Sequence, residues 1–173
     1  MNKLAFVING SGGAGKDTLC DMAAKHFKVV NVSSIDPIKK IARENGWNGE
    51  KDLKSRKFLA DLKQLFTEYN DLPTRYVLEK YREFLESDAE LFFVHIREGE
   101  QIAHFINEAE KTGNRPFSLL VRSKRCEAAY GNASDDDVAK FDYDYYYDND
   151  LPLEQAEAHF VAFLHGILDS VTE

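Results

Sequence analysis

The amino-acid sequence predicts an α/β protein of three layers, a five-stranded parallel sheet with helices on both faces. Two observations carry that prediction. Short continuous apolar runs, such as Leu4 to Ile8 and Leu91 to Ile96, have the character of strands covered on both sides. They alternate with stretches whose apolar residues recur at helical spacing, the pattern of βαβ units. A chain of 173 residues is long enough for one domain with a real core and too short for two comfortable ones.

The elements follow in order. After the strand at Leu4–Ile8 and a glycine-rich loop, Leu19, Met22, Ala23 and Phe27 mark a helix. Val29 to Val32 is a second strand. Asp36-Pro37 opens a helix with Ile38 and Ile41 on its buried side, because proline is tolerated in a first turn. That helix ends at the turn-rich segment Asn45-Gly46-Trp47-Asn48-Gly49. From 50 to 87 the pattern is helical, with Leu59, Leu62, Phe66 and Tyr69 in one stripe. Val77, Tyr81, Phe84 and Leu85 form a second stripe, and Asp71-Leu72-Pro73 separates the two. Leu91 to Ile96 is the third strand, followed by a helix on Ile102, Phe105, Ile106 and Ala109. Phe117 to Val121 and Asp142 to Tyr147 complete the strands. Ala156, Phe160, Phe163, Leu164, Ile167, Leu168 and Val171 mark a long last helix. One domain is expected, with its core in 1–49, 88–122 and 141–173. The segments 50–87 and 123–140 interrupt the alternation as excursions.

Composition narrows the function classes. Apolar and charged fractions of 43% and 30% belong to a globular protein in water. No apolar run approaches a membrane span, and Met1-Asn2-Lys3 leads into a strand and not into a signal peptide. Cys20 and Cys126 fit no disulfide framework or metal spacing, so a cytoplasmic setting is expected. A formal charge of −8 argues against nucleic acid or acidic membrane as partner. Positive contacts to a phosphate compound must then be local.

The first strand and first helix are joined by Gly10-Ser11-Gly12-Gly13-Ala14-Gly15-Lys16-Asp17-Thr18, with the spacing of the phosphate-binding P-loop. Glycines let the backbone curl so that successive N–H groups point into one concavity. The helix that follows aims its free amides and positive dipole end at the same place. Lys16 supplies a full charge for β and γ phosphates. The expected ligands are ATP and Mg²⁺. The common motif carries Ser or Thr directly after the lysine, whereas here Asp17 precedes Thr18. Thr18 is expected to face phosphate oxygens or the water shell of the metal. Asp17 either approaches that metal or serves as an acidic first-turn residue.

The GK-x-T ending resembles the P-loop nucleoside monophosphate kinases, and the GKD form is most similar to their phage-type deoxynucleoside branch and to animal-type phosphomevalonate kinases. The resemblance runs over nearly the whole chain in element order, and only the glycine loop is of motif grade. It implies the strand order 2-3-1-4-5 and transfer of the γ-phosphoryl group of ATP to a nucleoside or deoxynucleoside monophosphate. It implies an acceptor-binding insertion at 50–87 and a short lid at 123–140. Ser33-Ser34-Ile35-Asp36-Pro37-Ile38-Lys39 resembles the segment after the second strand of these kinases, which turns Ser33, Asp36 and Lys39 toward the acceptor. Asp36 equally suits a helix cap. Arg56 opens the insertion's apolar helix much as a basic residue does in that family, and Arg75 and Arg82 are further candidates. Arg97, just past the third strand, corresponds to the arginine that clamps the acceptor phosphate, and ligands of parallel sheets do bind at strand carboxyl ends. Arg122 and Arg125 correspond to lid arginines that close over the transferring group.

The chain departs from the family pattern at His95, where an aspartate is usual, and we read His95 as a satisfied core residue. The run Asp135-Asp136-Asp137 is better explained as an acidic first turn after Ser134 than as a metal site. Asn149-Asp150 stands where related kinases place a loop near the adenine. Two other functions stay open: a kinase of another small metabolite, with phosphomevalonate or a hydroxyl as acceptor, and a low-turnover nucleotide-binding regulator.

Overall fold

The computed structural model describes residues 3–112, 114–127, 138 and 140–171. Five strands form one sheet in the order β2-β3-β1-β4-β5, all parallel: β1 (Leu4–Asn9), β2 (Val29–Ser33), β3 (Leu91–His95), β4 (Phe117–Arg122) and β5 (Tyr145–Asp148). The expected fold class is the observed one. The helices are α1 (Lys16–Ala23), α2 (Asp36–Glu44), α3 (Leu53–Asn70), α4 (Leu72–Glu86), α5 (Gly99–Glu110), α6 (Lys124–Glu127) and α7 (Leu153–Ser170).

Apolar alternation along the central strands divides the core in two. Leu4, Phe6 and Ile8 of β1 face α1 and α7, joined by Leu91, Phe93, Leu119, Val121 and Phe160. Ala5 and Val7 face the other way, toward Val77, Tyr81 and Phe84 of α4 and Ile102 and Phe105 of α5. Every residue of β1 is buried, because this strand lies at the centre with a neighbour on each side and a helical layer on each face. β2 at the sheet edge is only half-buried.

Three sequence expectations need correction. Tyr69 is 80% exposed, so the first stripe of the insertion packs through Leu59, Leu62 and Phe66 only. No residue of α3 is fully buried, whereas α4 buries Val77, Leu78, Tyr81 and Phe84. The fifth strand begins at Tyr145, not Asp142. The carboxylate of Asp144 accepts hydrogen bonds from the Ser118 amide (2.7 Å), the Ser118 hydroxyl (2.8 Å) and Arg115 (3.1 Å), so this segment is clipped to β4 by a side chain and is not ladder. Val171 lies beyond the end of α7 and is exposed. Asp71 takes the left-handed conformation (φ 52°) that turns α3 into α4. The aspartate run 135–137 and most of the 123–140 excursion lie outside the described residues.

Candidate active site

The carboxyl ends of β1, β3 and β4 open on one edge of the sheet, and the glycine loop crosses it. Gly10 has φ +155° and a Cβ there would stand 2.4 Å from the carbonyl oxygen of Val121. Gly15 has φ +87° and a Cβ would stand 2.5 Å from Nδ2 of Asn149. These positions therefore accept only glycine, for closeness of approach as much as for backbone freedom. Gly15 is the N-cap of α1 without any side-chain cap. The first amide to bond back along the helix is that of Leu19, to Gly15 O at 3.0 Å. The N-terminal amides of α1 are thus open to an anion, with the dipole behind them.

Lys16 Nζ donates to the carbonyl oxygens of Gly10 (2.7 Å) and Ser11 (3.3 Å), spanning the loop's concavity. Burial holds its ammonium below the ordinary lysine range, Asp17 works against that shift, and the charge of Arg97 adds to it. A phosphate placed in the loop would supply a counter-charge for this half-buried cation. Ser11 and Ala14 shape the turn, the Ala14 amide donating to Ser11 O at 3.1 Å, while Gly12 and Gly13 are exposed at its tip. Asp17 and Thr18 are both exposed in the first turn of α1.

The loop is fastened by two asparagines. Asn9, the last residue of β1, is 3% exposed. Its Oδ1 accepts the Gly10 amide (2.9 Å), and its Nδ2 donates to Arg97 O (3.0 Å) and to the Tyr143 hydroxyl (2.9 Å). Tyr143 in turn donates to Val138 O at 3.0 Å. From the other side, Asn149 Nδ2 donates to Ala14 O at 2.9 Å. Sequence reasoning missed Asn9, whose one signal is a polar residue closing an apolar strand directly before the first loop glycine. The segment Asn149-Asp150 is expected to form a loop near a nucleotide base, and the structure adds that the Asn149 amide holds the glycine loop.

The remaining expected residues fall into groups. Ser33 ends β2, and its amide donates to Asp36 Oδ2 at 2.7 Å, so Asp36, an acidic first-turn residue of α2, braces the turn from β2, while Ile35 is the N-cap and no side chain caps the helix. One oxygen of Asp36 stays outside that bond. Arg97 follows β3, tied through its carbonyl to Asn9, and is exposed near Lys16. Arg125 Nη2 donates to Asn149 O (3.0 Å), and a Cβ on Gly13 would meet Cys126 Sγ at 3.5 Å, so α6 lies against the loop. Arg122 is held differently. Its Nε and Nη2 grip both oxygens of Asp148 (2.7 and 3.0 Å), and the guanidinium lies 5.2 Å from the Tyr146 ring centre.

His95, read from sequence as a satisfied core residue, has Nε2 2.8 Å from Asn31 Oδ1 and Nδ1 3.9 Å from Asp17 Oδ1. Burial lowers its pKa, Asp17 and Asp36 pull it up, and Lys16 and Lys39 push it down. The ring is satisfied, yet it stands among the charged residues of the site. Glu98 receives both its hydrogen bonds from Lys63 of α3 (2.7 and 2.8 Å), linking the end of β3 to the insertion.

Lys39 and Arg56, expected at the acceptor, line one cavity of about 250 Å³ together with Arg43, Trp47, Glu50, Lys51 and Leu59. Sequence reasoning had not gathered Arg43, Trp47 and Lys51 into it, because they come from a helix and the turn after it and meet Arg56 and Leu59 of α3 only in the fold.

Among the described residues no cluster of three or more His, Cys, Asp or Glu side chains could hold a metal. Mg²⁺ nevertheless suits the donors present, since it keeps much of its water and takes one or two protein oxygens beside substrate phosphates. Thr18 and Asp17 offer such oxygens at the exposed first turn. No helix among the described residues is long and apolar enough to cross a membrane.

No protein-family model and no curated protein matches the chain. Solved structures do match. A candidate kinase from Chloroflexus aurantiacus has a TM-score of 0.56 over 98% of this chain and 97% of its own, with 12% identity. The shikimate kinase of Bacteroides thetaiotaomicron has a TM-score of 0.50, 18% identity and coverage of 96% and 98%. TT1252 from Thermus thermophilus has the same TM-score and coverage at 20% identity. At such identities the likeness is one of fold, and the chain shares the fold of the candidate kinase and of the shikimate kinase.

Proposed function

We propose that this protein is a phosphotransferase that moves the γ-phosphoryl group of ATP to a small phosphorylated acceptor. The observation that carries the reading is the glycine loop: an uncapped helix N-terminus, a loop closed to any side chain at Gly10 and Gly15, and a half-buried Lys16 without a carboxylate partner within bonding distance. Loop amides and Lys16 would hold the donor phosphates. Arg97 would draw donor and acceptor together from the end of β3, and its planar fork can grip two oxygens at once. Lys39 and Arg56 would hold the acceptor, and Arg125 would bring positive charge to the transferring group. Arg122 would reach that group only by leaving Asp148. Bound with the nucleotide, Mg²⁺ would neutralise charge on the phosphate oxygens, with Thr18 and Asp17 as its nearest protein oxygens.

No general base is needed when the acceptor is a phosphate, which is already ionised at neutral pH, so the protein's task is positioning and electrostatics. This suits Asp36, whose carboxylate is committed in part to the Ser33 amide. A nucleoside or deoxynucleoside monophosphate is the first acceptor to test. A second reading, a phosphorylated metabolite with another acidic group, is favoured by the four cations lining the cavity beside α2.

The test is ADP formation from ATP–Mg²⁺ against a panel of nucleoside monophosphates and phosphorylated metabolites, with Lys16→Ala as the blank. We expect stimulation by one or two acceptors and a loss of roughly 100- to 1000-fold in the Lys16→Ala protein, as for removal of a preorganised charge contact. Absence of stimulation by any acceptor, with ATP still bound, overturns the phosphotransferase reading.

A further inference from the structure

We infer that the cavity between α2 and α3 binds the far end of the acceptor, and that this far end carries a second oxyanion, a phosphate or a carboxylate. The inference rests on the phosphotransferase reading and names the class of its acceptor.

The cavity draws Lys39 and Arg43 from α2, Trp47 and Lys51 from the turn that follows, and Arg56 from α3. Four cations face one carboxylate, that of Glu50, in a protein whose formal charge is −8. None of the four forms an ion pair with a described residue. Several other surface cations are matched, Lys25 by Glu157, Lys28 by Asp88, Lys57 by Asp61 and Lys63 by Glu98, whereas the four here share one concavity. Like charges around one concavity repel, and an oxyanion among them relieves that repulsion. One acceptor phosphate has Arg97 at the end of β3 to hold it, so Arg43, Lys51 and Arg56 remain for a second group. Lys39 joins the two ends, since it lines the cavity and its charge also acts on His95 beside Lys16 and Asp17.

Trp47 sets the shape of the wall. Its Nε1 donates to Glu50 O at 3.1 Å, which fixes the ring, and the Arg43 guanidinium lies 5.2 Å from the ring centre. Leu59 adds an apolar patch.

Trp47 is the protein's single tryptophan, so its fluorescence reports this cavity directly. The experiment titrates the whole protein, saturated with Mg–ADP, with three probes: glycerol 3-phosphate, 3-phosphoglycerate and fructose 1,6-bisphosphate. These carry no second anion, a distal carboxylate and a distal phosphate respectively. We expect one or both of the latter to bind at least tenfold more tightly than glycerol 3-phosphate. The gain should disappear in Arg43→Gln and Lys51→Gln and survive in Lys54→Gln, which makes the same charge change on α3 outside the cavity. Which probe gains identifies the oxyanion. Equal binding of all three overturns the inference. So does a gain that survives Lys51→Gln but is lost in Lys16→Ala, which places the second anion on the glycine loop. A nucleoside monophosphate that binds as tightly as the best probe, independently of Arg43 and Lys51, overturns it too. Failure of the underlying reading is seen separately, as absence of acceptor-stimulated ADP formation.

Discussion

The two halves of the site are built in opposite ways. The glycine loop is held by backbone and buried amides: Asn9 and Asn149 grip it from either side, and α1 behind it buries Leu19, Cys20, Met22 and Ala23. The cavity is lined by exposed and half-buried side chains from α2, the turn after it and α3, and α3 has no fully buried residue. On the proposed function, the difference follows from what each half would recognise. Phosphates of a donor are the same in every turnover, so a rigid cradle of N–H groups suits them. An acceptor is matched by side chains, and a lightly packed helix can shift to close on it at small cost, since opening free energy scales with buried contact.

Substitutions separate the two halves, and the largest effect belongs to the loop. Gly10→Ala adds a Cβ 2.4 Å from Val121 O at a backbone atom that cannot swing away. We expect a loss of about 3 kcal/mol, from strain and overpacking together. Thermal unfolding should shift down by roughly 6–12 °C for a chain of this size. An unchanged midpoint would mean the loop is far less tightly seated on β4. Next comes Asn9→Ala, which leaves the Gly10 amide, the Arg97 carbonyl and the Tyr143 hydroxyl each short of a partner. A cost of about 2 kcal/mol is expected from those unmet groups, read by urea denaturation.

Across the cleft the signature reverses. Arg56 is exposed and forms no side-chain hydrogen bond with a described residue, so Arg56→Ala should change stability by less than about 0.5 kcal/mol. Its KM for the acceptor should rise roughly tenfold while the KM for ATP holds. A fall in stability comparable with that of Asn9→Ala would erase the contrast between the halves.

The smallest effect lies at the junction, on His95. Burial lowers its folded-state pKa, so at mildly acidic pH the unfolded chain binds more protons than the folded one. Stability should therefore fall as pH drops below the ordinary histidine value of about 6.5, and hold above it. His95→Gln should flatten that part of the profile. A stability that instead rises on acidification would show the Asp17 carboxylate, 3.9 Å from Nδ1, outweighing burial.

Chain order alone was enough for the sheet, the glycine loop and the helical insertion, because each depends on local period or on spacing within a few residues. The apolar run ending at Asn9, the glycines from Gly10 to Gly15 and the helical stripe through Tyr81 and Phe84 all carry their meaning in sequence neighbours. What tertiary structure decided is which distant residues meet. Asn149 lies 135 positions from the carbonyl it holds, and Asp148 takes the fork of Arg122 through parallel pairing of β4 with β5. Trp47 came to line a cavity only when a turn, α2 and α3 folded around it. Periodicity reports which side of an element is apolar, but a side chain's partners depend on how elements stack, and that is set by packing of the whole core.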